Sequence, residues 1–221
     1  MKKTIGKLQF ITHPVAGRSV TETVAEVCSA GIDWIQLRMK ESTESEMLKL
    51  AFEIKKITDR FNATLIINDH VNVAQQAGAD GVHLGYEDMH PLEARKILGE
   101  DFIIGGTANS HEDCFRLIRA GIDYIGLGPF RQTATKINLK PVLGHEGIKI
   151  NLKVLKAFGE KIPVIAVGGI LPNDVNKLLT DGCFGIAVSS GIISADSPMA
   201  ATKEFISKFK QVKDEALTNS R

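Results

Sequence analysis

Eight short, β-rich runs alternate with helical stretches along almost the whole chain, and no other feature of the sequence restricts its fold so strongly. Leu8 to Thr12, Trp34 to Arg38, Thr64 to Asn68, Gly81 to Gly85, Phe102 to Gly106, Tyr124 to Gly128, Pro163 to Gly168 and Gly185 to Ser189 read as strands. Helical patterns follow each: Thr21 to Ala30, Ser45 to Phe61, Val71 to Ala77, Pro91 to Leu98, His111 to Ala120, Ile150 to Phe158, Pro172 to Thr180 and Pro198 to Leu217. Gly31, Gly78, Gly99 and Gly121 stand just past four of them, where a helix is usually stopped. Strands separated by helices must run parallel. Several are apolar throughout, as expected when both faces are covered. Eight such units is the count of the (β/α)₈ barrel. The expectation is therefore an α/β protein, a single-domain (β/α)8 TIM barrel over residues 1–221, with a polar tail from Lys213 to Arg221 expected to fray. A doubly wound open sheet is the competing fold, but no G-x-G-x-x-G follows the first strand.

Composition narrows the partners. Among 221 residues, 27 Lys and Arg stand against 26 Asp and Glu, a net charge of +1 that offers no field for nucleic acid or an anionic membrane. No apolar run approaches a membrane span or a signal sequence. Cys28, Cys114 and Cys183 lie far apart with no metal or redox spacing, so reduced, buried thiols in a cytoplasmic protein are expected. Small-molecule substrates are the remaining partners, and a homo-oligomer is left open.

In a barrel of this kind the chemistry gathers at the C-terminal ends of the strands. After the second strand, alternation puts Gln36, Arg38 and Lys40 on one side. A guanidinium and an ammonium two residues apart suit a diphosphate, although a lone inward arginine can also serve as half of a structural ion pair. Asp69 ends the third strand and Asp88 follows the fourth. Neighbouring strands lie about 5 Å apart, so the two carboxylates can reach one ion, and Mg²⁺ with substrate phosphates fits such a pair. Asp69 could equally cap the helix from Val71. Thr107 and Asn109 after the fifth strand could bond a polar heterocycle, with Ser110 capping the next helix. The sixth strand runs into Thr133-Ala134-Thr135-Lys136, two hydroxyls and an ammonium able to grip a phosphate. Gly168-Gly169 and Ser189-Ser190 occupy the barrel's frequent phosphate place. His83, inside a strand, reads as a satisfied core residue. The set holds cations, a metal pair and phosphate cradles but no evident base, which favours departure of a leaving group under electrostatic help over proton abstraction.

These residues resemble the thiamine phosphate synthase family. The matching stretches are Gln36-Leu37-Arg38-Met39-Lys40, Ile67-Asn68-Asp69, Gly81 to Gly85 through Asp88-Met89, Gly126 to Pro129, Thr133 to Lys136 and Gly168-Gly169-Ile170, in family order over nearly the whole chain. The resemblance implies an enzyme, a transferase of thiamine biosynthesis, that joins a hydroxymethylpyrimidine diphosphate to a thiazole phosphate and releases pyrophosphate. It further implies Gln36, Arg38, Lys40, Asn68, Thr107 and Lys136 as pyrimidine-diphosphate contacts. Asp69 and Asp88 would be the Mg²⁺ ligands, and Thr133, Ala134, Thr135, Gly169, Ser189 and Ser190 the thiazole-phosphate contacts. Arg38, Lys40 and Lys136 would carry the catalytic charge, in a dissociative reaction. Asn109 stands where a histidine is frequent, and His70 where arginine or an aromatic is more usual. Two other functions share the barrel. A thiazole tautomerase lacks the full diphosphate set and has a histidine near Gly128-Pro129. A non-catalytic phosphate-ligand binding barrel would not need both aspartates.

Overall fold

The computed structural model describes residues 3–132 and 140–218. Eight parallel strands close on themselves in sequence order: β1 (Leu8–Ile11), β2 (Trp34–Leu37), β3 (Thr64–Asn68), β4 (Gly81–Leu84), β5 (Ile103–Ala108), β6 (Tyr124–Leu127), β7 (Val164–Val167) and β8 (Gly185–Val188), with β8 pairing back onto β1. Around them run α1 (Val20–Ser29), α2 (Glu44–Arg60), α3 (Val71–Gln76), α4 (Pro91–Leu98), α5 (His111–Arg119), α6 (Gly144–Ala157), α7 (Val175–Thr180), α8 (Ser190–Ile193) and α9 (Pro198–Thr218). The α/β barrel expected from the alternation is the fold found.

Local chemistry explains most of the boundaries. Ser19 caps α1, accepting from Glu22 N at 3.3 Å, and Thr43 with Glu46 forms a reciprocal capping box at α2. Three elements differ from the sequence pattern. α6 begins at Gly144, six residues before the expected start, because Leu143 N and Gly144 N donate to Pro129 O and Phe130 O across the loop; its glycine-bearing first turn has no side-chain cap to signal it. The turn at Pro172–Asp174 is 3-10 rather than α-helical, and α8 is one short turn hidden in the loop after β8.

Two packed layers result. Outward residues such as Ile35, Leu37, Leu65 and Ile67 join Val24, Met47, Ile54 and Phe205 of the helices in one apolar shell. Inward residues Trp34, Ile66, Ile103, Tyr124, Ile165 and Ala187 fill the barrel itself, with Trp34 and Tyr124 edge-to-face at 5.0 Å. Alternation along β2 thus sends Trp34 and Gln36 inward, and Arg38 continues the same side at the rim. All three cysteines are buried thiols, their pKa values pushed up to about 12 by burial first.

Candidate active site

Above the apolar plug the barrel interior turns polar. Gln36 Nε2 donates to Gln9 Oε1 at 3.1 Å, Gln9 Nε2 reaches Tyr124 Oη at 3.4 Å, and His83 bridges Tyr124 Oη and Thr107 Oγ1, 2.9 Å from each. Neutral His83 with its hydrogen on Nε2 satisfies this chain, accepting from Tyr124 and donating to Thr107. Small residues make room for it. A Cβ on Gly105 would lie 2.2 Å from the Tyr124 ring, and one on Gly126 would lie 3.1 Å from the His83 ring. The chain forms the floor of a cavity of about 260 Å³ that opens at the strands' C-terminal ends.

Arg38 stands on the wall of that cavity, its backbone fixed by Thr12, whose Oγ1 accepts from Arg38 N at 2.9 Å. Burial lowers the guanidinium's pKa and the nearby Asp69 carboxylate works against that, so the cation is held beside an anion. His13 close by is lowered by burial first and by Arg38 second.

The two aspartates meet. Asp69 N donates to His83 O at 2.9 Å, and His70 N folds back to Asn68 O at 2.8 Å. This i-to-i+2 bond makes a γ-turn centred on Asp69, whose φ of 67° is strained for a residue with a side chain. The Asp69 carboxylate faces that of Asp88, close enough for the two to share a proton. Asp88 Oδ2 is anchored in turn by Gly85 N at 2.6 Å. Burial first, then the bond and charge of Asp88, push the Asp69 pKa up to about 7, while Lys40 and Arg38 pull it back. Two acceptor-only carboxylates at hydrogen-bonding distance need a shared proton or a cation between them, so the pair fits a divalent metal. Among the described residues no third His, Cys, Asp or Glu joins them, which suits an ion completed by water and phosphate oxygens. Asp69 is not a helix cap: His70 holds that position at α3 and makes no side-chain cap bond.

Gln36, Arg38, Asn68, Thr107, Gly169, Ser189 and Ser190 all border the one cavity. Asp69, Asp88 and Lys40 are not among the residues that line it; Lys40 is exposed and adds a positive field at Asp69. Thr133, Ala134, Thr135 and Lys136 lie outside the described residues. At the β7 and β8 ends, Gly168 and Gly169 have φ of 101° and 66°, conformations that suit glycine. The Ser189 hydroxyl donates to Ile11 O at 2.7 Å and meets His13 Nδ1 at 2.8 Å. Its one hydrogen is already used, so an anion here would face Ser190 and backbone N–H groups. Gln9, His83 and Tyr124 complete the floor, and strand-end position alone does not single them out. Their signal was parity: each is a polar side chain at an inward position of an otherwise apolar strand.

The thiamine monophosphate synthase family model matches residues 8–192. The chain belongs to that family. A thiamine-phosphate synthase of Bacteroides fragilis is 46% identical over 199 residues, 90% of this chain and 98% of the relative; one of Flavobacterium johnsoniae is 45% identical over 190 residues, 86% and 90% of the two. The solved thiamine phosphate pyrophosphorylase of Pyrococcus furiosus superposes with a TM-score of 0.83 at 32% identity, covering 93% of this chain and 96% of its own. A 3-hexulose-6-phosphate synthase, at 17% identity and a TM-score of 0.65 over 92% of this chain and 99% of its own, shares the fold alone. Family membership makes this chain one of the thiamine-phosphate synthases, a transferase.

Proposed function

We propose that the enzyme condenses 4-amino-5-hydroxymethyl-2-methylpyrimidine diphosphate with 4-methyl-5-(2-hydroxyethyl)thiazole phosphate, or its carboxylated form, to give thiamine phosphate and pyrophosphate in the cytoplasm. The observation that carries this reading is a cavity with a polar floor and Arg38 on its wall, with the Asp69–Asp88 pair beside Arg38 just outside the lining. Gln36, Gln9, Tyr124, His83 and Thr107 offer fixed donors and acceptors to an uncharged heterocycle without forcing a charge into the barrel. Arg38, Lys40 and Lys136 supply the positive charge that a diphosphate needs as it departs with the bonding electrons. Mg²⁺ held by Asp69 and Asp88 would withdraw charge from that leaving group. The methylene carbon left on the pyrimidine is then captured by the thiazole nitrogen, so one C–O bond breaks and one C–N bond forms with no proton moved; a carboxylated thiazole would in addition lose CO₂ and take a proton from water at the carbon that carried it. That chemistry asks for no general base.

The test is to supply both phosphorylated substrates and follow pyrophosphate and thiamine phosphate, with Mg²⁺ and with chelator. Equimolar products that vanish on chelation are expected. Interconversion of thiazole tautomers without pyrophosphate would replace the proposal with an isomerase, and binding without either reaction would leave a ligand carrier. Within this reading, Thr135→Val should raise the KM for the thiazole phosphate by roughly tenfold or more, the scale of a lost bond to a charged group of about 1.5–3 kcal/mol. A change confined to the pyrimidine substrate would reassign Thr135.

A further inference from the structure

The connection from β6 to α6 leaves the barrel at Gly128 and returns at Leu143, and its two stems are held side by side at the base. Leu143 N donates to Pro129 O at 2.9 Å and Gly144 N to Phe130 O at 3.0 Å. One side chain from a different loop joins the stems higher up. Asn109 Nδ2, just past β5, donates to Gly128 O on the outgoing stem and to Pro141 O on the returning one, both at 2.9 Å. Both partners are carbonyl oxygens, so the amide must present its NH₂, and its two hydrogens go one to each stem.

Asn109 is itself held in place. Its N–H donates to Asp113 Oδ2 at 3.0 Å, while Asp113 N donates to Ser110 Oγ at 3.3 Å, a reciprocal cap at the start of α5. The same carboxylate lies 3.8 Å from Lys140 Nζ, the residue before Pro141. That ammonium sits 4.8 Å from the Tyr86 ring centroid, and Arg116 lies 5.0 Å from the same ring. Tyr86 is 65% exposed, yet these two cations tie it to the rim.

We propose that Asn109 is a positioning residue: its carboxamide clamps both stems of the β6–α6 connection to the end of β5 and so holds that connection in place for the thiazole phosphate. This rests on the reading of Thr133 to Lys136 given above. Asn109 need not touch substrate to do it, since both of its side-chain N–H groups are spent on main-chain carbonyls. Aspartate in its place would keep the shape, remove both donors and set an anion against two carbonyl oxygens.

The experiment compares Asn109→Ala and Asn109→Asp with the parent enzyme in three measurements: steady-state kinetics with each substrate varied, tryptic cleavage at Arg131 and Lys136, and Tm. A KM for the thiazole phosphate raised roughly tenfold, equivalent to about 1.4 kcal/mol, is expected. The fall in kcat at saturation should be smaller, and cleavage should accelerate at an unchanged Tm. Parental KM in both variants, or parental cleavage rates, would overturn the clamp. Thr135→Val in the same assay separates the two ideas. A parental thiazole KM in that variant sinks the loop's assigned role, whereas a raised KM there beside parental values in both Asn109 variants sinks the clamp.

Discussion

Asp69→Asn is expected to lower turnover by about 10²-fold or more, the scale on which electrostatic deletions at reacting centres act. Asparagine is the informative replacement because of the backbone. Asp69 sits at φ 67°, a region that asparagine tolerates nearly as well as aspartate, whereas alanine would add strain and confuse the result. The substitution also removes one of two carboxylates that press on each other in a half-buried site. The metal-free variant should therefore be at least as stable as the parent. Under the Mg²⁺ reading the parent gains Tm with added Mg²⁺, because an ion bound only to the folded state stabilises it by mass action. The variant should gain much less. Turnover near the parental rate at saturating Mg²⁺ would remove Asp69 from the metal site.

Gly105→Ala should cost about 3 kcal/mol, a fall in Tm of roughly 6–12 °C, although a strand glycine replaced by alanine ordinarily gains stability. The reason is Tyr124. The added methyl carbon would stand 2.2 Å from its Cζ and 2.6 Å from its Oη. The ring has no room to move, being buried against Trp34 at 5.0 Å and beside His83 at 5.4 Å. Displacing it breaks the His83 contact at 2.9 Å that runs on to Thr107, so activity should fall along with stability. A double-mutant cycle with Tyr124→Ala checks the cause by thermal unfolding. In the Tyr124→Ala background the Gly105 substitution should cost almost nothing, and an unchanged penalty there would place the clash elsewhere.

What the sequence determined by itself was whatever depends on order and parity. Eight strand–helix units in series imply parallel strands and closure. The alternation Gln36, Arg38 fixes the inward side of β2, and strand-end position puts Thr107 and Gly169 at the cavity and Asp69 and Asp88 at the ends of neighbouring strands. Those relations survive because they are set within a few residues or between adjacent strands. Tertiary structure alone decided which groups touch. His83 reads as a satisfied core residue, but only β5 and β6 supply its partners, Thr107 and Tyr124 at its two nitrogens. Ser189, a plausible phosphate donor by position, has its hydrogen taken by Ile11 across the β8–β1 seam. Asn109, read as a contact for a heterocycle, gives both of its hydrogens to carbonyls 19 and 32 residues away. Hydrogen bonds between distant segments leave no periodic trace along a chain, since they depend on where barrel closure places each loop.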